Sequence, residues 1–171
     1  MATMTQAQIE EAAKKFMSGS TIKELKGISN NEMEAVYSLA FNYYRSGKFD
    51  EAEKLFDFLA LFDHLNAKFW MGVGAVRQVK KNFTGAIQAY AYASFLNLHN
   101  PKPQFHAAEC FLAMGDKRNA ASSLEALDMY CPKDTELGRE YRAKAAELRK
   151  LVGEEAFAAL AKEDEKGEEK A

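Results

Sequence analysis

The chain is short of several things at once, and each shortage removes a class of function. Two cysteines and three histidines in 171 residues leave little material for a metal centre, and Cys110 and Cys131 stand at no metal-ligand spacing. Cys110 falls inside a predicted helix and Cys131 near the end of one, where a thiol packs as a small apolar side chain. Both are therefore read as reduced and structural. No run of about 18 or more apolar residues occurs, which argues against a membrane-spanning helix. Met1–Ile9 is polar, without an apolar stretch, so no secretory signal is expected. Net charge is only −2, and Lys and Arg are spread among acids, so direct nucleic-acid binding is not expected. There is no glycine-rich phosphate loop, no nucleophile elbow and no HExxH pair. The sequence thus offers no catalytic residue, no metal site and no cofactor site, and an enzyme is not expected. With 47% hydrophobic and 28% charged residues, the composition is that of one folded, soluble domain of cytoplasmic type.

What is present is a period. Ala52, Ala86 and Ala120 recur at one constant interval, each followed four positions later by a large apolar residue, Phe56, Tyr90 and Leu124. That spacing of small and bulky residues is the mark of the tetratricopeptide repeat, a helix–turn–helix unit of about 34 residues. Repeat one is placed at 33–66, repeat two at 67–100 and repeat three at 101–134, without gaps. Repeat one supplies Val36, Leu39, Ala40 and Tyr43 at positions 4, 7, 8 and 11; repeat two supplies Trp70, Val73 and Gly74, with Ala93 later; repeat three supplies Ala107, Ala108, Phe111 and, near its end, Pro132. The small residues lie where the two helices of a repeat cross, and the bulky one fills the space beside the crossing. Gly47 and Gly115 end the first helix, and Asp50 and Asp116 favour the start of the next. The pattern is degenerate: Arg77 takes the aromatic position of repeat two, Lys81 its turn glycine, Gln104 the apolar position 4 of repeat three, and Leu59 and Leu127 a small position. The expected fold is all-α, three such hairpins in tandem.

Residues 1–32 form an N-terminal helical region. Thr5–Met17 reads as a helix with Ile9, Ala12, Ala13 and Phe16 on one face, serving either dimerisation or capping. Ser18-Gly19-Ser20 breaks it, Ile22–Leu25 is at most a short helical turn, and Ser29 or Asn30 caps the first repeat. After the array, Asp134 or Thr135 starts a last helix to about Val152, within a helical cap over 135–162 that covers the exposed end of the array. The charged tail, 163–171, is expected to be disordered.

In stacked helical hairpins the first helix of each repeat lines the concave face, with positions 2, 5, 9 and 12 pointing into it. Repeat one then offers Glu34, Tyr37, Phe41 and Tyr44; repeat two Lys68, Met71, Ala75 and Gln78; repeat three Lys102, Phe105, Glu109 and Leu112. Six large apolar residues there, beyond those the core needs, indicate a peptide-binding groove. Ala75 leaves a hollow between them, Gln78 is placed to bond a peptide backbone, and Lys68, Lys102 and Glu109 tune register.

Specific segments resemble the class II chaperones of bacterial type III secretion: Tyr37-Ser-Leu-Ala-Phe-Asn-Tyr-Tyr44 with Gly47-Lys-Phe-Asp-Glu-Ala-Glu53, then Phe69-Trp-Met-Gly-Val-Gly-Ala75, Ala89-Tyr-Ala-Tyr-Ala93 and Phe105-His-Ala-Ala-Glu-Cys-Phe-Leu112. Gly19-Ser-Thr-Ile-Lys-Glu-Leu25 looks like the loop before the array in that family. The resemblance covers roughly residues 5–152. It implies a cytoplasmic bacterial protein that binds hydrophobic translocator proteins through an extended segment near their N-terminus and keeps them soluble until secretion. It further implies a homodimer through the N-terminal region and, for some members, co-regulation of secretion genes with a transcription activator. Tyr37, Phe41, Tyr44, Met71, Ala75, Phe105, Glu109 and Leu112 carry over as groove residues; Phe41 stands where Tyr is frequent, which leaves any hydroxyl contact there unsupported. The competing reading is a repeat scaffold for another peptide. A clamp for C-terminal carboxylates would need more basic and amide groups than Lys68, Lys102 and Gln78 supply, and the aromatic stripe favours an apolar ligand.

Overall fold

A computed structural model describes residues 5–168. These residues form ten helices and no strand: α1 Gln6–Met17, α2 Ile22–Lys26, α3 Asn30–Arg45, α4 Phe49–Phe62, α5 Ala67–Val79, α6 Phe83–Leu96, α7 Pro101–Ala113, α8 Lys117–Tyr130, α9 Glu136–Val152 and α10 Glu154–Glu168. Each repeat read from the period holds one helix pair, α3–α4, α5–α6 or α7–α8, although α3 starts at Asn30, ahead of the boundary at 33. Two compact units divide the chain within α5, between Val73 and Gly74.

The turns inside the three hairpins are built alike. After the first helix the chain passes through a left-handed residue at Gly47 (φ 76°), Lys81 (φ 62°) and Gly115 (φ 79°). The next N–H, of Lys48, Asn82 or Asp116, reaches back to the carbonyl of Tyr43, Arg77 or Phe111 at 2.9 Å in every case, the long-range bond of a Schellman motif. Asn82 and Asp116 then cap the second helix, accepting from the N–H of Gly85 and Asn119; Lys48 offers no side-chain cap. Asn66 and Asn100 take the N–H of Lys68 and Lys102 at 3.2 and 3.1 Å, so the entries of α5 and α7 follow the same period.

In the first unit, Met33, Ala40, Ala52, Phe56, Leu59, Ala60, Phe69 and Val73 are buried. Gly72 touches the Phe56 ring so closely that a Cβ there would lie 2.3 Å from it. Ser29, not Asn30, caps α3 through a capping box with Glu32, and Thr21 and Glu24 form a second box on α2. Lys23 joins α2 to α4 by a mostly buried ion pair with Asp63 at 2.9 Å and also bonds Asn30 Oδ1 at 3.0 Å. Leu39, expected in the core, is instead 46% exposed. The equivalent Val73 and Ala107 are buried, and each follows an earlier repeat, whereas no repeat precedes Leu39. The side chains of Ile9, Ala12, Ala13 and Phe16 lie outside the described residues, although α1 carries them.

In the second unit Gly74 meets Tyr90 of the same repeat: an added Cβ would sit 2.4 Å from the ring. Phe105, Ala108, Ala120, Ala121, Leu124, Leu127, Cys131, Tyr141, Ala145 and Val152 form one core, against which Phe157 and Leu160 of α10 pack. Both cysteines are free and buried; burial, then the charge of Glu109, pushes the Cys110 thiol up to about 12. Asp128 receives Arg142 and Arg149, each at 2.6 Å, tying α9 to the end of α8. The tail expectation is corrected in part. Residues 163–168, assigned to a disordered segment, belong to α10. Glu154 and Glu155 sit in its first turn, where negative charge is favoured, Ala156, Ala158, Ala159 and Leu160 are good helix formers, and Arg149 lies 4.8 Å over the Phe157 ring.

Candidate functional site

The first-helix residues singled out by the period divide into those that face outward and those that do not. On α3, Tyr37 is half-buried and stacks on Phe41 at 6.3 Å with nearly parallel rings. Its other contacts are Phe56 at 5.8 Å and Phe69 at 6.0 Å. Phe41, one helical turn on, is 43% exposed. Tyr44 is half-buried and meets Phe49 edge-on at 5.8 Å. This spacing of four, then three, keeps the three rings on one stripe of α3. Lys68 crosses to that stripe: its ammonium lies 3.8 Å over the Tyr37 ring and within 2.7 Å of Glu34 Oε2. Burial raises the Tyr37 hydroxyl pKa above its ordinary value, with the Lys68 charge opposing and the Glu34 charge adding. Met71 is half-buried on α5.

In the second unit Ala75, Gln78, Glu109 and Leu112 are partly buried, and two assignments change. Phe105 is only 7% exposed: Tyr141 of α9 covers it edge-on at 5.3 Å, so its ring belongs to the core. Leu112 packs on that same core. Gln78, expected to be available for a peptide backbone, already accepts from the Tyr90 hydroxyl at 2.7 Å and donates to Glu109 Oε2 at 3.2 Å.

These last bonds belong to a polar network that the sequence reading missed. His106 Nδ1 lies 2.8 Å from Glu109 Oε2. A carboxylate only accepts, so the proton between them sits on the imidazole. The imidazole stacks on Tyr90 at 5.5 Å, and Tyr141 lies 6.2 Å away. Lys144 rests 4.6 Å over the Tyr141 ring. Burial pushes the Glu109 carboxyl up, but hydrogen bonds from His106 and Gln78, with the charges of His106 and Lys144, outweigh it and hold the group below its usual value. The His106–Glu109 spacing of three on one helix was a usable signal. Tyr141 and Lys144 were not, because they lie beyond the period and nothing sets their register against α7.

Paired helices joined by the same turn in each period define a tetratricopeptide-repeat protein. The tetratricopeptide-repeat family model matches residues 33–66 and 67–99. Low calcium response locus protein H of Yersinia pestis is 42% identical over 106 residues, which cover 62% of this chain and 63% of that one. Among solved structures, the type III secretion translocator chaperone SycD of Yersinia enterocolitica is 37% identical, over 75% of this chain and 98% of that one, with a TM-score of 0.66. PcrH in complex with the chaperone binding region of PopD is 34% identical, over 74% and 94%, with a TM-score of 0.68. The chain belongs to the family of tetratricopeptide-repeat chaperones of type III secretion translocators.

Proposed function

We propose that this protein is a cytoplasmic bacterial chaperone that binds an extended N-terminal segment of hydrophobic translocator proteins and keeps them soluble for secretion, without catalysis. The observation that carries the reading is the α3 stripe, where Tyr37, Phe41 and Tyr44 share one face and Phe41 stays 43% exposed. Core positions of the same repeat are already filled by Ala40, Ala52 and Phe56, so the exposed Phe41 ring is surplus to the core and suited to an apolar ligand. The relative PcrH, solved with a segment of PopD, supports the kind of ligand. No described helix is long and apolar enough to cross a membrane. Client contacts are assigned to Tyr37, Phe41, Tyr44, Lys68 and Met71 on the first unit and, separately, to Ala75, Gln78, Glu109 and Leu112 on the second, where Phe105 lies in the core. Self-association is assigned to α1 through Ile9, Ala12, Ala13 and Phe16.

The test is fluorescence anisotropy with a labelled peptide spanning the chaperone binding region of PopD, with PcrH as positive control. Phe41→Ala combined with Tyr44→Ala should weaken binding by about tenfold or more, as two partly buried aromatic contacts warrant, with helical circular dichroism intact. Undiminished binding by the double variant would sink the assignment of the α3 face. Truncating Phe105 is a poor probe, because it also opens the core. Phe16→Asp should turn a dimer into a monomer in sedimentation velocity; an unchanged mass would remove α1 from the interface.

A further inference from the structure

We propose that the Lys68 side chain is a lid over the Tyr37 ring, which an apolar client residue has to open, so that Lys68 restrains affinity at this point instead of adding to it. The inference rests on the chaperone reading above and concerns the first unit alone. The Tyr37 ring is bounded by Phe41 at 6.3 Å, Phe56 at 5.8 Å and Phe69 at 6.0 Å between centroids. The Lys68 ammonium lies over it, 3.8 Å from its centre, where a cation meets the negative face of the π-system. The same ammonium bonds both oxygens of Glu34, at 2.9 Å to Oε1 and 2.7 Å to Oε2. Glu34 stands one turn before Tyr37 on α3, so the carboxylate holds the lysine arm across the ring. Ring and carboxylate together form a clasp on one cation.

Exposure is what makes the clasp movable. The Lys68 and Glu34 side chains are 44% and 53% exposed, so both charges rehydrate when they part. Lys23 and Asp63, by contrast, are 15% and 12% exposed and part only by leaving a buried charge unpaired. Opening Lys68 forfeits an exposed ion pair and a cation–π contact, each of them modest. That cost shifts affinity severalfold without blocking binding. A ligand that needs the ring bare binds only the molecules whose lysine arm is off it, and its apparent Kd rises as that fraction falls. The client gains apolar contact with Tyr37 and the chain gives up the cation, so the net grip stays moderate. A moderate grip suits a client that has to be handed on for secretion.

The experiment uses the full chain and the labelled PopD peptide, with Lys68→Ala and Glu34→Gln, each checked for an unchanged helical spectrum and thermal midpoint. Lys68→Ala takes the lid away and should lower Kd by about threefold or more. Glu34→Gln keeps the lysine but weakens its hold, so its Kd should fall between those of the native chain and the alanine variant. A second readout works on the native chain itself. The ε-methylene protons of Lys68, next to the ammonium over the ring, should resonate upfield in the proton NMR spectrum of the free chain. Their signal is identified by its loss in Lys68→Ala, and saturation with peptide should return it to the ordinary lysine position. A Kd for Lys68→Ala equal to or above the native value, or a signal that stays upfield in the saturated complex, would overturn the lid while leaving the chaperone reading intact. Failure of the native chain to bind where PcrH does would remove both.

Discussion

Tyr37 and Phe105 occupy the same place in the repeat, yet one is half-buried at the surface and the other is core. The difference comes from what lies over them. Tyr37 is overlain by the flexible arm of Lys68, a charge that can swing away. Phe105 is overlain by Tyr141, a ring fixed on α9. Leu39 and Ala107 repeat the contrast two positions further on, one exposed and one buried. A period sets the direction in which a side chain points, because helices of the same length and turn present the same face. Whether that face meets protein or solvent depends on the neighbouring element, which the period does not specify.

The largest test of this contrast is to remove the ring that makes Phe105 core. Tyr141→Ala should cost about 3–5 kcal/mol in urea denaturation, the range for deleting a buried aromatic side chain. A loss under about 1 kcal/mol would mean that α9 is not what buries Phe105. The first unit depends on a polar tie between α2 and the end of α4. Lys23→Ala strips Asp63 of its cation inside a mostly buried pair, and should cost about 2–3 kcal/mol, somewhat below the value for full burial. If Lys23→Ala melts like the native chain, α2 is held by something else. Next comes the crossing within a hairpin. Ala86 is fully buried, and Ala86→Leu should cost about 1–3 kcal/mol by overpacking; an unchanged melting temperature would put the repeat register in doubt.

The repeats were legible because their residues obey a local rule that recurs. Ala52, Ala86 and Ala120 are all fully buried, and Tyr90 presses on Gly74 of its own repeat as crossing geometry demands, while Phe56 presses on Gly72 of the next repeat. The α3 stripe was legible for the same reason, since three aromatic residues at helical spacing cannot leave one face. The candidate site in the second unit was only half legible. Gln78 and Glu109 were picked out by position, but a side chain's partners depend on distances across helices, and Gln78 is occupied by Tyr90 and Glu109. Phe105 was misjudged because α9 carries no repeat signature to reveal that Tyr141 returns over α7. The tail was misjudged for a different reason. Its charge suggested disorder, but Phe157 and Leu160 just upstream dock on the core and give α10 an anchor from which helix propagates to Glu168.

The smallest expected effect tests the comparison where the repeats are most alike. Gly47, Lys81 and Gly115 hold equivalent positions at the same left-handed turn, and the bond that follows each is 2.9 Å long. The turn thus closes equally well around lysine, at a conformational cost of about 1–2 kcal/mol for a side chain in that region. Glycine avoids the strain but loses more freedom on folding, by about 0.5–1 kcal/mol. Lys81 is exposed, so the difference between those two terms should decide the outcome. Lys81→Gly should therefore stabilise by about 0.5 kcal/mol and raise Tm by about 1–2 °C, and Gly115→Lys should lower it by a similar amount. Opposite shifts of matching size would show that the three turns are energetically interchangeable. A fall in Tm for Lys81→Gly would show instead that the lysine side chain has work in repeat two that glycine does not do in repeats one and three.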